Sequence, residues 1–101
     1  MATKLYMVEL IVHHIPYDEF ITQLPEHRKI VHELIYKDIY LSYTVAQDRS
    51  KVWIMVKSES ESESELIHYI EKLPLTKYMD YEYTELMFME WAPVKLNFSL
   101  N

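Results

Sequence analysis

Two predicted strands of this 101-residue chain are apolar on both of their alternating faces, which limits the folds open to it. Leu5–Val12 (LYMVELIV) carries one charge, Glu9, and Val52–Lys57 (VWIMVK) is apolar at every position before its final lysine. A strand with one face in water alternates between apolar and polar residues, so these two strands need cover on both sides. The pattern therefore predicts a sheet with helices on one face and a second apolar surface on the other.

The order of helical and extended patterns predicts an α+β chain arranged as β-α-β-β-α-β. The predicted elements are a strand over Leu5–Val12, a helix over Tyr17–Lys37, strands over Ile39–Ala46 and Val52–Lys57 joined by a hairpin turn, a helix from the Ser58–Glu65 repeat to Lys72, and a strand over Asp80–Met89. Pro25 lies inside the first helical pattern and should kink or split that helix, because proline lacks an amide donor. The order is that of the ferredoxin-like fold, in which two helices cover one face of a four-stranded antiparallel sheet.

The uncovered face of this sheet predicts a homodimer. Since it is as apolar as the face under the helices, two copies should pack their sheets together with two-fold symmetry and form a dimeric α+β barrel. The set expected to face the helices is Val8, Leu10, Val52, Ile54 and Val56; the set expected to face the barrel is Met7, Glu9, Ile11, Trp53 and Met55, with Tyr43, Tyr81, Tyr83 and Glu85 as further candidates. Residues 1–90 form the predicted domain, and the apolar extension 91–101 is expected to pack on a neighbouring subunit.

The composition excludes several classes of partner and chemistry. A net charge of −6 without a basic cluster argues against nucleic acids and anionic membranes, and the absence of cysteine excludes disulfides and thiolate nucleophiles. The five histidines lack metal-ligand spacing, since His27 and His32 are five residues apart and His13 and His14 are adjacent, so no metal site is predicted. The apolar start is too short for a signal peptide or a membrane span, which predicts a cytoplasmic protein.

The chain contains no glycine, so every backbone position with a positive φ must be filled by another residue. Asp38 follows the first predicted helix, where glycine commonly ends a helix in the left-handed conformation, and aspartate tolerates that conformation better than most residues. We therefore expect a positive φ at Asp38. A glycine-rich phosphate-binding loop cannot form in such a chain, and no cofactor is predicted.

Glu9 is the predicted acid or base of a candidate site. A carboxylate on a strand that is apolar on both sides is costly to bury, so Glu9 should be held neutral by its surroundings, be paired with Arg28, Arg49 or Lys51, or lie near solvent at the mouth of the barrel. A carboxyl group in an apolar cavity can transfer protons. His27 interrupts the apolar stripe of the first helix and is expected either to be hydrogen-bonded in the core or to point toward a pocket.

The segment Leu73–Asp80 (LPLTKYMD), here called the corner, ends the second helix because Pro74 cannot continue it. The corner is unusually apolar for a connection, and we expect it to lie where subunits meet. Its residues Leu73-Pro74-Leu75 and, two residues later, Tyr78-Met79-Asp80 resemble the corresponding segment of muconolactone isomerases. The order and length of the elements, from the first strand to the last, are also similar to those of that family.

Muconolactone isomerases move a proton within an unsaturated lactone, need no cofactor and assemble beyond the dimer. The resemblance implies a cofactor-free isomerase that acts on a small unsaturated acid or lactone, although the family carries a basic residue near the position of Glu9. In such an enzyme Glu9 would be the catalytic acid or base. The substrate-binding residues would be His27 and Arg28, which orient the substrate, and Tyr43, Trp53 and Tyr78, which form apolar walls.

Two other functions are consistent with the sequence. A noncatalytic dimeric module, which binds a small organic ligand or has a structural role, would have Glu9 neutralised by a salt bridge. Replacing Glu9 in such a module would leave ligand affinity unchanged. A cofactor-free monooxygenase on the same barrel is a further alternative, and it is based on the fold alone.

Overall fold

A computed structural model of the chain describes residues 3–87 and residue 90. The described part contains strands β1 (Lys4–Val12), β2 (Tyr40–Val45), β3 (Lys51–Ser58) and β4 (Met79–Leu86), and helices α1 (Tyr17–Tyr36) and α2 (Glu63–Glu71). The strands form one antiparallel sheet in the order β2-β3-β1-β4. This arrangement confirms the predicted α+β, ferredoxin-like fold. The predicted extension 91–101, and positions 88–89 of the last predicted strand, lie outside the described residues.

The hydrophobic core lies between the sheet and the two helices, because alternate residues of the central strands point to that side. Its buried members include Tyr6, Val8, Leu10, Val31, Leu34, Val52, Ile54, Val56, Leu66 and Ile70. Burying one side chain of this size contributes about 1.5–3 kcal/mol relative to leaving it exposed. The cluster is therefore the main source of stability, and the predicted helix-facing set is confirmed.

The opposite side of the sheet, here called the open face, is covered by neither of the two helices. Residues directly opposite one another in an antiparallel pair point to the same face. Glu9 lies opposite Trp53, and the same register sets the side of its neighbours on β1 and β3. The set confirmed to point away from the helices is Met7, Glu9, Ile11, Trp53 and Met55.

Four further candidates for that face lie on the helix side instead, so their predicted position was wrong. They are Tyr43, Tyr81, Tyr83 and Glu85. Tyr43 lies opposite Ile54, and Tyr83 lies opposite Val8, both of which are core residues. The alternation of residue types does not fix the side of either edge strand, and β2 also has a register shift after Tyr40. The three tyrosines pack against the core.

Pro25 does not split α1, which runs as one helix through this position. The proline leaves the carbonyl group of Ile21 without its helical hydrogen bond. Ile21 and Pro25 are both exposed, so that carbonyl group lies on a side of the helix that is open to solvent. Of the two effects predicted for Pro25, a kink or a split of the helix, the split is therefore wrong.

Helix α2 begins later than the Ser-Glu repeat predicts. Ser58 ends β3 and is buried, and its hydroxyl group donates to Glu65 over 2.9 Å. The helix begins at Glu63, where the Ser62 hydroxyl oxygen accepts the amide hydrogen of Ser64 over 3.1 Å. The first half of the repeat thus belongs to the strand and its connection. The second half forms the expected acidic start of the helix, where carboxylates complement the helix dipole.

The corner is partly buried within its own chain. It contains a short 3-10 helix over Pro74–Tyr78 that packs mainly against α1, and Leu75 and Thr76 are buried there. The Thr76 hydroxyl group donates to the carbonyl oxygen of Ile70 over 2.9 Å and so fastens the corner to α2. The two helices therefore cover the corner, and its apolar content requires no second subunit.

Asp38 has a φ of 62° directly after α1, which confirms the predicted left-handed position. Replacing Asp38 with glycine should raise the free energy of unfolding by up to about 1 kcal/mol, because glycine adopts this conformation without the steric cost of a β-carbon. Urea unfolding measures the change. Lys37 is the matched control, because its φ of −85° offers no strain for glycine to relieve, so Lys37→Gly should lower stability. Equal effects at the two positions would contradict the strain argument.

Candidate functional site

A cleft of about 700 Å³ opens on the helix side of the sheet, beside α1. Its walls are α1, the loop after β1 (residues 13–16), the turn between β2 and β3 (residues 46–50) and the corner. Much of the lining is apolar and includes Val12, Phe20, Leu24, Val31, Val52 and Met79. A concave, mostly apolar space of this volume is the usual form of a small-molecule site.

His27 and Tyr43 form a hydrogen-bonded pair in the inner wall of the cleft. Nε2 of His27 lies 2.8 Å from the Tyr43 hydroxyl oxygen, and the amide of Leu75 donates to Nδ1 over 3.4 Å. Because Nδ1 accepts that amide hydrogen, the ring proton of neutral His27 is on Nε2 and is donated to Tyr43. His27 is only 4% exposed, and burial lowers its pKa, which favours the neutral ring. The pair thus connects α1, β2 and the corner.

The hydroxyl proton of Tyr43 has no acceptor among the described residues, although its oxygen is engaged by His27. The Tyr43 ring stacks on Tyr40 with the ring centroids 6.4 Å apart, which holds the ring in place. The Tyr40 hydroxyl group donates elsewhere, to the carbonyl oxygen of Tyr69 over 2.6 Å. Burial raises the pKa of Tyr43 to about 12, so its phenol stays protonated at neutral pH and is a hydrogen-bond donor.

Apart from two tyrosines, the ionisable side chains that line the cleft are all imidazole or guanidinium groups. They are His13, His14, His27, Arg28, His32 and Arg49. No described aspartate or glutamate lines the cleft, although the chain has 16 acidic and 10 basic residues. At the rim, His13 lies 2.7 Å from Asp80, whereas Arg28 and Arg49 form no ion pair within residues 3–87. The cleft is therefore a locally basic site in an acidic protein.

Three of the predicted site residues, His27, Arg28 and Tyr43, line the cleft together. Both alternatives for His27 hold, since it is a hydrogen-bonded core histidine and it also borders a pocket. Tyr78 does not line the cleft. Its hydroxyl group donates to Glu19 over 3.2 Å at the surface between the corner and α1.

The other two predicted site residues, Glu9 and Trp53, lie opposite each other on the open face, across the sheet from the cleft. Glu9 pairs with Lys51 over 3.1 Å, which confirms one of the alternatives predicted for this carboxylate. A single chain therefore does not bring Glu9 and Trp53 together with the residues of the cleft.

Four basic residues of the cleft were not predicted as site residues: His13, His14, His32 and Arg49. One signal could have identified His32, because it is four residues after Arg28 and such residues share a helix face. No comparable signal exists for Arg49. Its position depends on how the β2–β3 turn approaches the end of β1, where the amide of Val12 donates to the carbonyl oxygen of Ser50 over 2.9 Å.

Acidification from about pH 7.5 to about pH 5 should destabilise the protein through His27. Because burial lowers the pKa of His27 below its ordinary 6.5, the unfolded chain binds this proton at a pH where the folded chain does not. The free energy of unfolding therefore falls as the pH falls through this range and is recovered above it. Melting temperatures across the range should depend less on pH in His27→Gln than in the wild type.

The matched control is His68→Gln, which removes an exposed histidine outside the cleft. It should leave the pH dependence close to that of the wild type. A pH dependence that is the same in His27→Gln as in the wild type would contradict the role given to burial of this ring.

No protein-family model matches this chain, and no similar sequence was found among curated proteins. Within the described residues, no group of three or more histidine, cysteine, aspartate or glutamate side chains is arranged to hold a metal ion. None of the described helices is long and apolar enough to cross a membrane. The functional proposal therefore depends on the cleft and its chemistry.

Proposed function

We propose that this protein binds a small, largely apolar organic acid in the cleft beside α1. The observation that carries this proposal is the combination of apolar walls with Arg28 and Arg49, whose guanidinium groups have no carboxylate partner among the described residues. Guanidinium groups bind carboxylates through paired, charge-assisted hydrogen bonds. The apolar body of such a ligand would fill the cleft, and its carboxylate would meet the two exposed arginines.

Matched acids and amides test this proposal on the wild-type protein. Benzoate and cinnamate should raise the melting temperature in a concentration-dependent way, because a ligand that binds only the folded state stabilises it. Benzamide and cinnamamide, which have the same rings without the charge, should bind more weakly. Added salt should weaken the binding of the acids and leave the binding of the amides unchanged. Equal binding of acids and amides, or no binding of either, would contradict the proposal.

A cofactor-free isomerase of a small unsaturated acid or lactone is a second candidate, favoured by the imidazole groups of the cleft. His14 and His32 line the cleft and form no side-chain hydrogen bond with a described residue. Imidazole is the side chain most often used as a general base, and Tyr43 would supply a neutral proton donor in the same cleft. Glu9 would act on a substrate only in a different cavity, formed with a second copy.

Deuterium exchange separates these two locations for the chemistry. An unsaturated acid incubated with the protein in heavy water should exchange hydrogen at the carbon beside its double bond, as observed by NMR. If exchange is lost in His14→Ala or His32→Ala and retained in Glu9→Gln, the result would support proton transfer in the cleft. The opposite result would support a site on the open face, and exchange in none of the samples would count against an isomerase.

We also propose a homodimer in which two open faces pack together. On this face β3 carries Lys51 and Lys57, whereas β1 and β4 carry Glu9, Asp80 and Glu82. A two-fold axis parallel to the strands would set β3 of one copy over β1 of the other. Lys51 would then lie near Asp80 and Glu9 of the second copy, whereas Lys57 would lie at the level of Leu5. Glu9 and Glu82 lie directly opposite each other, an unfavourable pair of like charges. Lys51 of the same chain, 3.1 Å from Glu9, offsets part of this repulsion, and Lys51 of the second copy would offset more of it.

A further inference from the structure

The hydrogen bond between His27 and Tyr43 uses the hydroxyl oxygen of Tyr43 and leaves its hydroxyl proton unused. A tyrosine hydroxyl group has one proton to donate, and its oxygen accepts hydrogen bonds. The oxygen of Tyr43 already accepts the Nε2 proton of His27 over 2.8 Å. The reverse arrangement, with Tyr43 donating to Nε2, would need the ring proton on Nδ1, where the amide hydrogen of Leu75 already points. The Tyr43 proton is therefore available to a partner outside this pair.

We infer that Tyr43 donates a hydrogen bond to an uncharged oxygen on the ligand and so selects acids that carry a second oxygen acceptor, such as a keto, ester or ether group. This inference rests on the proposed function, since it requires a ligand in the cleft. It adds a second polar contact at the inner wall, where Tyr43 pairs with the buried His27, while Arg28 and Arg49 bind the carboxylate from exposed positions.

The selection has a clear physical origin. Tyr43 is half-buried, its ring is stacked on Tyr40, and its hydroxyl oxygen is held by His27, so the donor cannot turn to follow an arbitrary ligand. A ligand that fills the cleft with a methylene group at this point would strip water from the hydroxyl proton and give it no acceptor. A site built to hydrogen-bond a polar group discriminates strongly against an analogue that lacks that group.

A pair of isosteric probes measures this preference. Para-acetylbenzoate and para-isopropenylbenzoate have the same size, shape and charge, and differ only in a C=O group in place of a C=CH₂ group. Wild-type protein should bind the acetyl compound about 5- to 20-fold more tightly by calorimetry. Tyr43→Phe removes only the hydroxyl group, so it should bind both compounds alike, and more tightly than the wild type binds the isopropenyl compound, because no donor is left without an acceptor.

Tyr17→Phe is the matched control, because Tyr17 also lines the cleft but is 75% exposed. This variant should keep the wild-type preference. Equal binding of the two probes to the wild type, or a preference that survives in Tyr43→Phe, would overturn the inference and leave the proposed function standing. Failure of both probes to bind the wild type would overturn the proposed function and this inference together.

A second measurement needs no variant. In NMR spectra of the wild-type protein labelled in its tyrosine rings, the resonance of the ring carbon that bears the hydroxyl group responds to hydrogen bonding. The acetyl compound should shift one such resonance that the isopropenyl compound leaves in place. Identical spectra with the two probes bound would contradict donation by Tyr43, including the case in which Tyr43→Phe fails to fold.

Discussion

Replacing Arg28 and Arg49 together with glutamine should weaken binding of an aromatic carboxylate to the cleft by about 10- to 100-fold. Each substitution would remove a charge-assisted hydrogen bond between a guanidinium group and the ligand carboxylate. Both arginines are exposed, so solvent screening keeps each contribution near the lower end of the usual range. Binding of a neutral ligand such as benzamide should change little. Calorimetry with benzoate and benzamide, at low and at physiological salt, measures both effects.

The control for this variant removes the same charge outside the cleft. Lys29→Gln combined with Lys72→Gln changes the net charge by the same amount, and neither lysine lines the cleft. If the control loses as much affinity as the double arginine variant, the effect belongs to the overall charge of the protein. If the double arginine variant binds benzoate as the wild type does, the two arginines do not recognise the carboxylate.

Replacing Trp53 with lysine should convert the proposed dimer into a monomer. Trp53 lies near the middle of the open face, beside Met55 and opposite Glu9, and a large aromatic residue in such a position usually contributes strongly to association. The lysine would also place a charge between two apolar surfaces, which costs further free energy. Sedimentation or light scattering should give about 24.6 kDa for the wild type, twice 12.3 kDa, and half of that for the variant.

Tyr36→Lys serves as the control for this substitution. Tyr36 is an apolar surface residue of similar size at the end of α1, 89% exposed and far from the open face. Its replacement should leave the molecular mass of the wild type unchanged. A monomeric wild type, or a Trp53→Lys variant that remains dimeric, would show that the open face is not the dimer interface.

The fold could be predicted because its strongest signals are local in sequence. Alternation along Leu5–Val12 and Val52–Lys57 set both faces of the central strands, and the absence of glycine pointed to Asp38. The edge strands could not be assigned in this way, since the side on which Tyr43 or Tyr83 points depends on register across the sheet. The start of α2 was predicted too early because Ser58 belongs to β3, where it pairs with Lys4 of β1. The Ser-Glu repeat by itself gives no sign of this pairing.

The site was predicted only in part, for a related reason. His27 and Arg28 share one helix, so their proximity follows from the sequence alone, whereas Arg49 comes from a turn that reaches the cleft through tertiary contacts. Glu9 is the one charge on the apolar strand Leu5–Val12, which predicted a site there. The pairing of that strand places Lys51 within 3.1 Å and puts both groups on the side away from the cleft.

At Arg49 the residue that would make the folded protein most stable differs from the residue that would bind the ligand. Its φ of 66° lies in the left-handed region, where a residue with a β-carbon is strained by about 1 kcal/mol relative to glycine. Any redesign that optimises only the folded chain would select glycine at this position and gain stability. The same change would remove one of the two arginines of the cleft that have no ion-pair partner among residues 3–87, so thermostable variants of this protein should be screened for ligand affinity before they replace the original.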